Sequence, residues 1–324
     1  MSKCIICNKT PQGDNCLTEE HVVPEFLGGS IKRKNTCKSC NSKMGNGFES
    51  VVEKSFIFQL FSYRYGVVKK SGASKNPLAG DYDVDGRKIE FGEDGEVKVK
   101  FTGFEEVENE DGVTVYSAIL DESDIDMAKA ALAKKIFRKG GGDGETISRG
   151  QAKKIAEKFI SENEFKKESY RPHLSKRVEM DQKFFDSLVL LFVKVCYESL
   201  CLLDPGFLSE RVPQQMRKSL DKHMLSKKIE SNVRFMSDFP AVDDYLLDGQ
   251  NYVIFLGQYC VMRLGPFNAI VILESSLEEP SFLASPGVKK SRHGDFTQFI
   301  AFLEENVVKN KHKSFAFPPP PFLS

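Results

Sequence analysis

The chain has no apolar run of 18 residues, and its opening MSKCIICNKT lacks the basic-then-apolar layout of a secretory signal. Neither a membrane span nor export is expected, and the sequence reads as cytoplasmic. Net charge is missing too: 46 Lys plus Arg meet 46 Asp plus Glu over 324 residues. No global positive field advertises a polyanion, so any contact with nucleic acid must come from a local patch. Familiar catalytic signatures are also absent. There is no phosphate-cradling glycine loop, no Ser-His-Asp order and no HExxH, and the glycines at 140–142 lack the spacing of a nucleotide fingerprint. Internal repeats are not evident. Histidine is scarce, and His21 is the only one in the first 172 residues.

At 40% hydrophobic the chain can bury a substantial core, and its length suits two or three domains. Eight cysteines in a reducing compartment are better read as metal ligands and small buried hydrophobes than as disulfides. Their spacing divides them. Cys4 and Cys7 form one C-x2-C knuckle, Cys37 and Cys40 another, and residues 8–36 separate the two. Each short loop presents two thiolates to one side, so together they supply the four sulfurs of a tetrahedral zinc site. A zinc ion with all four positions filled by protein cannot activate water. This zinc is expected to be structural, with the chemistry elsewhere. Cys16, Cys196, Cys201 and Cys260 lack such pairing and read as core or surface thiols.

Between the knuckles lies LTEEHVVPEFLGG, residues 17–29. Glu20-His21, two aliphatics, Pro24, a Gly28-Gly29 turn, the basic KRK at 32–34 and the closing CKSCN together resemble the HNH (ββα-metal) endonuclease family, in its branch with a four-cysteine zinc knuckle. The resemblance covers residues 4 to about 50. It implies a first strand at EEHVV, a hairpin loop containing Gly28-Gly29, and a helix starting at Cys40. It further implies His21 as the general base, suited by the near-neutral pKa of imidazole. Glu20 and Asn41 would hold a catalytic Mg²⁺ or Mn²⁺, hard cations that favour oxygen donors. Asn35, 14 residues after His21, would be the family's middle Asn, which ties the hairpin loop. Two departures stand out: the second knuckle follows sooner than in typical members, and Glu replaces the more frequent Asp.

Residues 1–54 hold eight cations and six anions, with the cations concentrated at KRK and the second knuckle. Lys32, Arg33, Lys34, Lys38 and Lys43 are therefore candidate contacts to a DNA backbone, although such charge carries no sequence code. Double-stranded DNA is the implied substrate, and cutting both strands implies a homodimer. A zinc ribbon that binds nucleic acid without cutting expects the same charge pattern. His21 separates the two readings.

The expected fold class is α+β: a small zinc-stabilised ββα-metal module over 1–60, a β-rich then helical stretch over 61–180, and an α+β region over 181–324. FIFQLFSYRYGVV reads as a core helix. YDVDGRKIEF, GEVKVKF and VTVYSAIL read as three short antiparallel strands, with the acidic EEVENED as an exposed loop between the last two. Helices are expected at SDIDMAKAALAKKIFRKG, capped by Ser123 or Asp124, and at SRGQAKKIAEKFISENEF. KKIFRKGGG reads first as a solvated helix face and second as a DNA contact. A long helix over Gln182–Leu203, apolar on more than one face, should sit deep in a core. NYVIFLGQYCVMRLGPFNAIVILESS offers three successive strands, DFTQFIAFLEENVVKN a last helix, and FAFPPPPFLS an irregular tail. The large region is expected to serve target recognition, or control by a small-molecule or protein regulator as in bacterial anti-phage effectors.

Overall fold

The computed structural model describes residues 2–108, 114–140, 147–162, 178–236, 251–274 and 281–285. The chain forms two compact units, one built from 1–77 and 178–324, the other from 78–177.

The first unit opens with an antiparallel hairpin, β1 (Leu17–His21) and β2 (Lys32–Cys37). A helix follows at once, α1 (Lys38–Met44), beginning two residues before Cys40. A widened helical turn at Gly45–Glu49, broken at Gly47, leads into α2 (Ser50–Lys54) and α3 (Phe56–Arg64). As expected from FIFQLFSYR, α3 buries Phe58 and Phe61. A short ribbon, β3 (Val68–Lys69) with β4 (Gly72–Ala73), closes this part.

In the second unit, the Asp85-Gly86 turn splits YDVDGRKIEF into β5 (Gly80–Val84) and β6 (Arg87–Phe91). Both turn residues have positive φ, at 53° and 73°, the conformation a two-residue hairpin requires. A three-stranded sheet forms when β7 (Val97–Val99) joins β6. VTVYSAIL does not extend that sheet. The acidic run expected as a loop supplies β8 (Glu105–Glu108), which pairs with β9 (Thr114–Ser117) in a separate ribbon. The reason is local: Lys135 and Lys139 both pair with Glu106, neutralising charge that would disfavour a strand. Helices α4 (Ile125–Lys139) and α5 (Arg149–Glu162) pack through Ala128, Leu132, Ala156 and Ile160. Asp124, one of the two expected caps, stands at the N-cap position of α4 without a side-chain cap bond, while Asp121 caps the preceding turn at Glu122–Asp124 by accepting from the Ser123 amide.

Back in the first unit, α6 (Gln182–Leu203) starts at an Asp181 cap and is buried at every position from Ser187 to Cys201. Two shorter helices, α7 (Arg211–Lys222) and α8 (Lys227–Asn232), lead to β10 (Val233–Met236). The three anticipated strands are present as β11 (Asn251–Leu256), β12 (Tyr259–Leu264) and β13 (Phe267–Ile272). With β10 and β14 (Ser281–Ser285) they make an antiparallel sheet in the order β10-β13-β12-β11-β14. The last helix and proline-rich tail anticipated from sequence lie outside the described residues.

One apolar core runs from the knuckle to this sheet and includes Ile6, Leu27, Phe58, Leu191 and Val271. Phe58 sits at its centre, against Phe26, Phe184 and Phe267. Each large side chain so buried contributes about 1.5–3 kcal/mol. Polar pins add direction. The Tyr197 hydroxyl donates to the Ile5 carbonyl at 2.9 Å, Arg217 to the Ile6 carbonyl at 3.1 Å, and the Asn251 amide to the Leu27 carbonyl at 2.6 Å. Cys196, Cys201 and Cys260 are buried thiols and Cys16 is exposed, as their lack of pairing suggested. Among the described residues no helix is long and apolar enough to cross a membrane.

Candidate active site and metal centre

The two knuckles converge because β2 delivers Cys37 at its end and α1 begins there, while the first knuckle is tied to the bulged strand. The Ile5 amide donates to the Asn35 carbonyl at 3.0 Å, and the Cys37 amide to the Cys4 sulfur at 3.3 Å. The sulfurs of Cys4, Cys7, Cys37 and Cys40 all lie within 4.8 Å of one another, with Cys7 and Cys37 3.9 Å apart. A tetrahedral zinc with Zn–S bonds of about 2.3 Å has sulfur–sulfur edges of about 3.8 Å, so the cluster fits that ion. The Cys4–Cys40 hydrogen bond lowers the Cys4 thiol and raises the Cys40 thiol, while burial raises Cys7, so the metal-free cluster holds one ready thiolate beside the protonated thiols of Cys7 and Cys40. A ready thiolate is the form a metal takes.

His21 closes β1, and the loop beyond it decides what its ring can do. A helical turn at Glu25–Leu27 ends at Gly28, whose φ of 80° favours glycine. Gly29 then passes so close to Val23 that an added Cβ would stand 1.7 Å from the Val23 carbonyl oxygen. That approach places the Gly29 carbonyl 2.8 Å from His21 Nδ1. A carbonyl only accepts, so Nδ1 carries the proton and Nε2 is left as the acceptor. The ring is half-buried and ligates no sulfur site.

Glu20 points the other way and is buried, 6% exposed. Its Oε1 pairs with the ammonium of Lys194, which lies mid-way along α6 and is itself fully buried. The same ammonium donates to the His21 carbonyl at 2.8 Å, stands 2.7 Å from Glu49 and 4.0 Å from Glu198. Burial works against the Lys194 charge, but Glu198, Glu49 and Glu20 outweigh it and hold the group above the usual lysine range. Three carboxylates surround this ammonium, and Arg33 adds a second positive charge acting on Glu198. Burial pushes Glu198, the farthest, well above the carboxylate range, opposed by Lys194, and its Oε1 has no hydrogen-bond partner.

Asn41 lies inside α1 and donates from Nδ2 to the Thr18 hydroxyl and the Glu19 carbonyl, both at 3.1 Å. Asn41 thus ties the helix to β1, and its Oδ1 is the atom left for a ligand. Asn35 is the bulge residue, since the register steps from Thr18 against Thr36 to Glu19 against Lys34. Its Nδ2 is buried without a partner. Lys32, Lys34, Lys38 and Lys43 are exposed around the module, whereas Arg33, opposite Glu20 across the hairpin, is half-buried and its charge opposes the rise at Glu198.

Lys194, Glu49 and Glu198 escaped the sequence reading. A signal was there: Lys194 and Glu198 stand one turn apart on a helix that is apolar on several faces, and a lysine so placed must find carboxylates.

Residues 4–57 match a family model described as HNH endonuclease. No curated protein and no solved structure matches the chain. The N-terminal segment is therefore an HNH module with a cysteine cluster, followed by a larger α+β region. Such a domain implies a nuclease, with nucleic acid as its substrate.

Proposed function

We propose that this protein is a zinc-braced, Mg²⁺- or Mn²⁺-dependent DNA endonuclease, and one observation carries that reading: the Gly29 carbonyl holds His21 Nδ1–H, leaving Nε2 to accept a proton. Nε2 takes a proton from water, the water oxygen attacks phosphorus in line, and the 3′ oxygen departs. Glu20 and Asn41 supply a carboxylate and an amide oxygen, donors that suit a hard divalent cation. When bound, that ion stabilises charge on the phosphate and the leaving oxygen. Lys32, Lys34, Lys38 and Lys43 pair with backbone phosphates.

The larger region grips the target. In the second unit, α4 and α5 bound a groove of about 800 Å³ whose lining includes Lys129, Lys134, Arg138, Arg149 and Lys153 against Asp126 and Glu157. Arg149 lies 5.3 Å above the Phe137 ring, beside an alanine floor. A groove with surplus positive charge suits a phosphodiester backbone. One module cuts one strand, so double-strand cleavage requires a homodimer.

A second reading, a zinc ribbon that binds nucleic acid without cutting, draws support from the burial of Glu20 against Lys194. Incubating the purified protein with plasmid DNA, with and without Mg²⁺ or Mn²⁺ and beside His21→Ala, separates the two. Metal-dependent nicking lost in His21→Ala supports the nuclease. Retardation of DNA without nicking under any metal favours the ribbon.

A further inference from the structure

We infer that Lys194 is a positioning residue of the nuclease site, the single ammonium that fixes Glu20 and His21 relative to each other. The inference rests on the reading above, in which Glu20 holds an ion and His21 takes a proton. Lys194 lies far beyond the segment that matches the HNH model, on a helix whose neighbouring positions Val193 and Val195 are apolar and fully buried. Packing alone would be served by another aliphatic at this position. The ammonium donates to Glu20 Oε1 and to the His21 carbonyl, and it forms an ion pair with Glu49 Oε1 at 2.7 Å.

Two of those three belong to consecutive residues with different tasks. Contact with the Glu20 carboxylate fixes it at Oε1, and in the reading above its other oxygen is the one that meets the ion. Contact with the His21 carbonyl fixes the peptide at the end of β1, and with it the direction in which the imidazole leaves the chain. The Gly29 carbonyl holds the same ring from the far side. His21 is thus held at its main chain by α6 and at its ring by the hairpin loop. Groups that orient a metal ligand typically change metal affinity or activity about 10- to 100-fold when removed.

The test uses full-length, zinc-loaded protein, with Mn²⁺ binding read from the electron paramagnetic resonance of the free ion and nicking read as a function of Mn²⁺. Glu20→Gln identifies the binding that belongs to this site. Lys194→Met alone strands the buried Glu20 and Glu198 and the half-buried Glu49, and endangers folding. The decisive comparison is therefore Lys194→Met/Glu49→Gln/Glu198→Gln against Glu49→Gln/Glu198→Gln, in which the surplus charge is removed from both. The triple variant is expected to keep its zinc and a cooperative melt, yet bind Mn²⁺ about 10- to 100-fold more weakly and need correspondingly more for half-maximal nicking. Lys194→Arg, which keeps the charge, is expected to recover part of the loss. Equal Mn²⁺ affinity and metal dependence in the two variants overturn the inference. A rise in affinity overturns it too, because Lys194 would then be obstructing Glu20. A wild type that binds and nicks while the Lys194 variant matches its reference removes this inference alone; a wild type with no Glu20-dependent Mn²⁺ binding and no nicking removes the proposed function with it.

Discussion

Gly29→Ala tests whether the hairpin loop exists to aim an imidazole. The added methyl group would lie 1.7 Å from the Val23 carbonyl oxygen, 2.5 Å from its carbon and 3.1 Å from the Pro24 oxygen. All three are backbone atoms, so no side chain can rotate away, and relief requires main-chain movement of roughly 1.5 Å to restore ordinary contact. Movement on that scale breaks the 2.8 Å bond from His21 Nδ1 to the Gly29 carbonyl. Overpacking costs about 1–3 kcal/mol and the lost hydrogen bond about 1 kcal/mol more. For a unit of this size that corresponds to a melting point lower by roughly 4–16 °C. Displacement of a catalytic group by about 1 Å costs roughly 100-fold in rate. Gly45→Ala is the matched control, since an added Cβ meets nothing within 4 Å and φ is −61°. It is expected to be neutral or to stabilise by about 0.5–1 kcal/mol. Calorimetric melting and timed plasmid nicking on both variants check this. If Gly29→Ala melts and nicks like wild type, the loop does not aim His21.

His21→Ala is expected to abolish nicking while zinc content, measured by atomic absorption, stays at the wild-type value and the melt stays cooperative, lower by only about 2–4 °C for the lost bond to the Gly29 carbonyl. Cys37→Ser is expected to lose zinc and unfold the module together, because metal binding and local folding are linked, with both visible in the metal assay and in amide exchange of residues 4–57. Glu198→Gln tests the buried carboxyl. Its folded pKa lies above the unfolded value, so its favourable contribution is complete below pH 4.5 and is lost as pH rises toward the folded pKa. The variant should therefore gain on wild type in urea denaturation as pH rises above 4.5, and parallel curves from pH 4.5 to 7 would contradict the burial argument. Neutralising Lys134, Arg138 and Arg149 together is expected to weaken DNA binding and to reduce the slope of log affinity against log salt by about 2.7. An unchanged slope means that the α4–α5 groove does not hold the backbone.

The parts of this molecule that were legible in its sequence are those written in short-range pattern. The knuckle spacing announced the sulfur cluster, the Gly28-Gly29 pair announced the hairpin, and the apolar run from Gln182 to Leu203 announced the central helix. Sheet partners were less legible. EEVE has the composition of a loop, and only two lysines from a later helix make it acceptable as a strand. The environment of Glu20 was the least visible, since its partner Lys194 is 174 residues away and no periodicity links them. His21 stands between the knuckles in the sequence, but its tautomer follows from a carbonyl that only the folded loop brings near.

The first unit is left by the chain at Pro77 and rejoined at Val178. Residues 78–177 are thus a cassette in the genetic sense, bounded by two points on a body that already contains the cysteine cluster, His21 and Lys194. Recombination at those two points can replace the helical groove wholesale without touching the cysteine cluster, His21 or Lys194. Sequence change in the groove and sequence constancy around the cysteine cluster then fall on separate stretches of one gene.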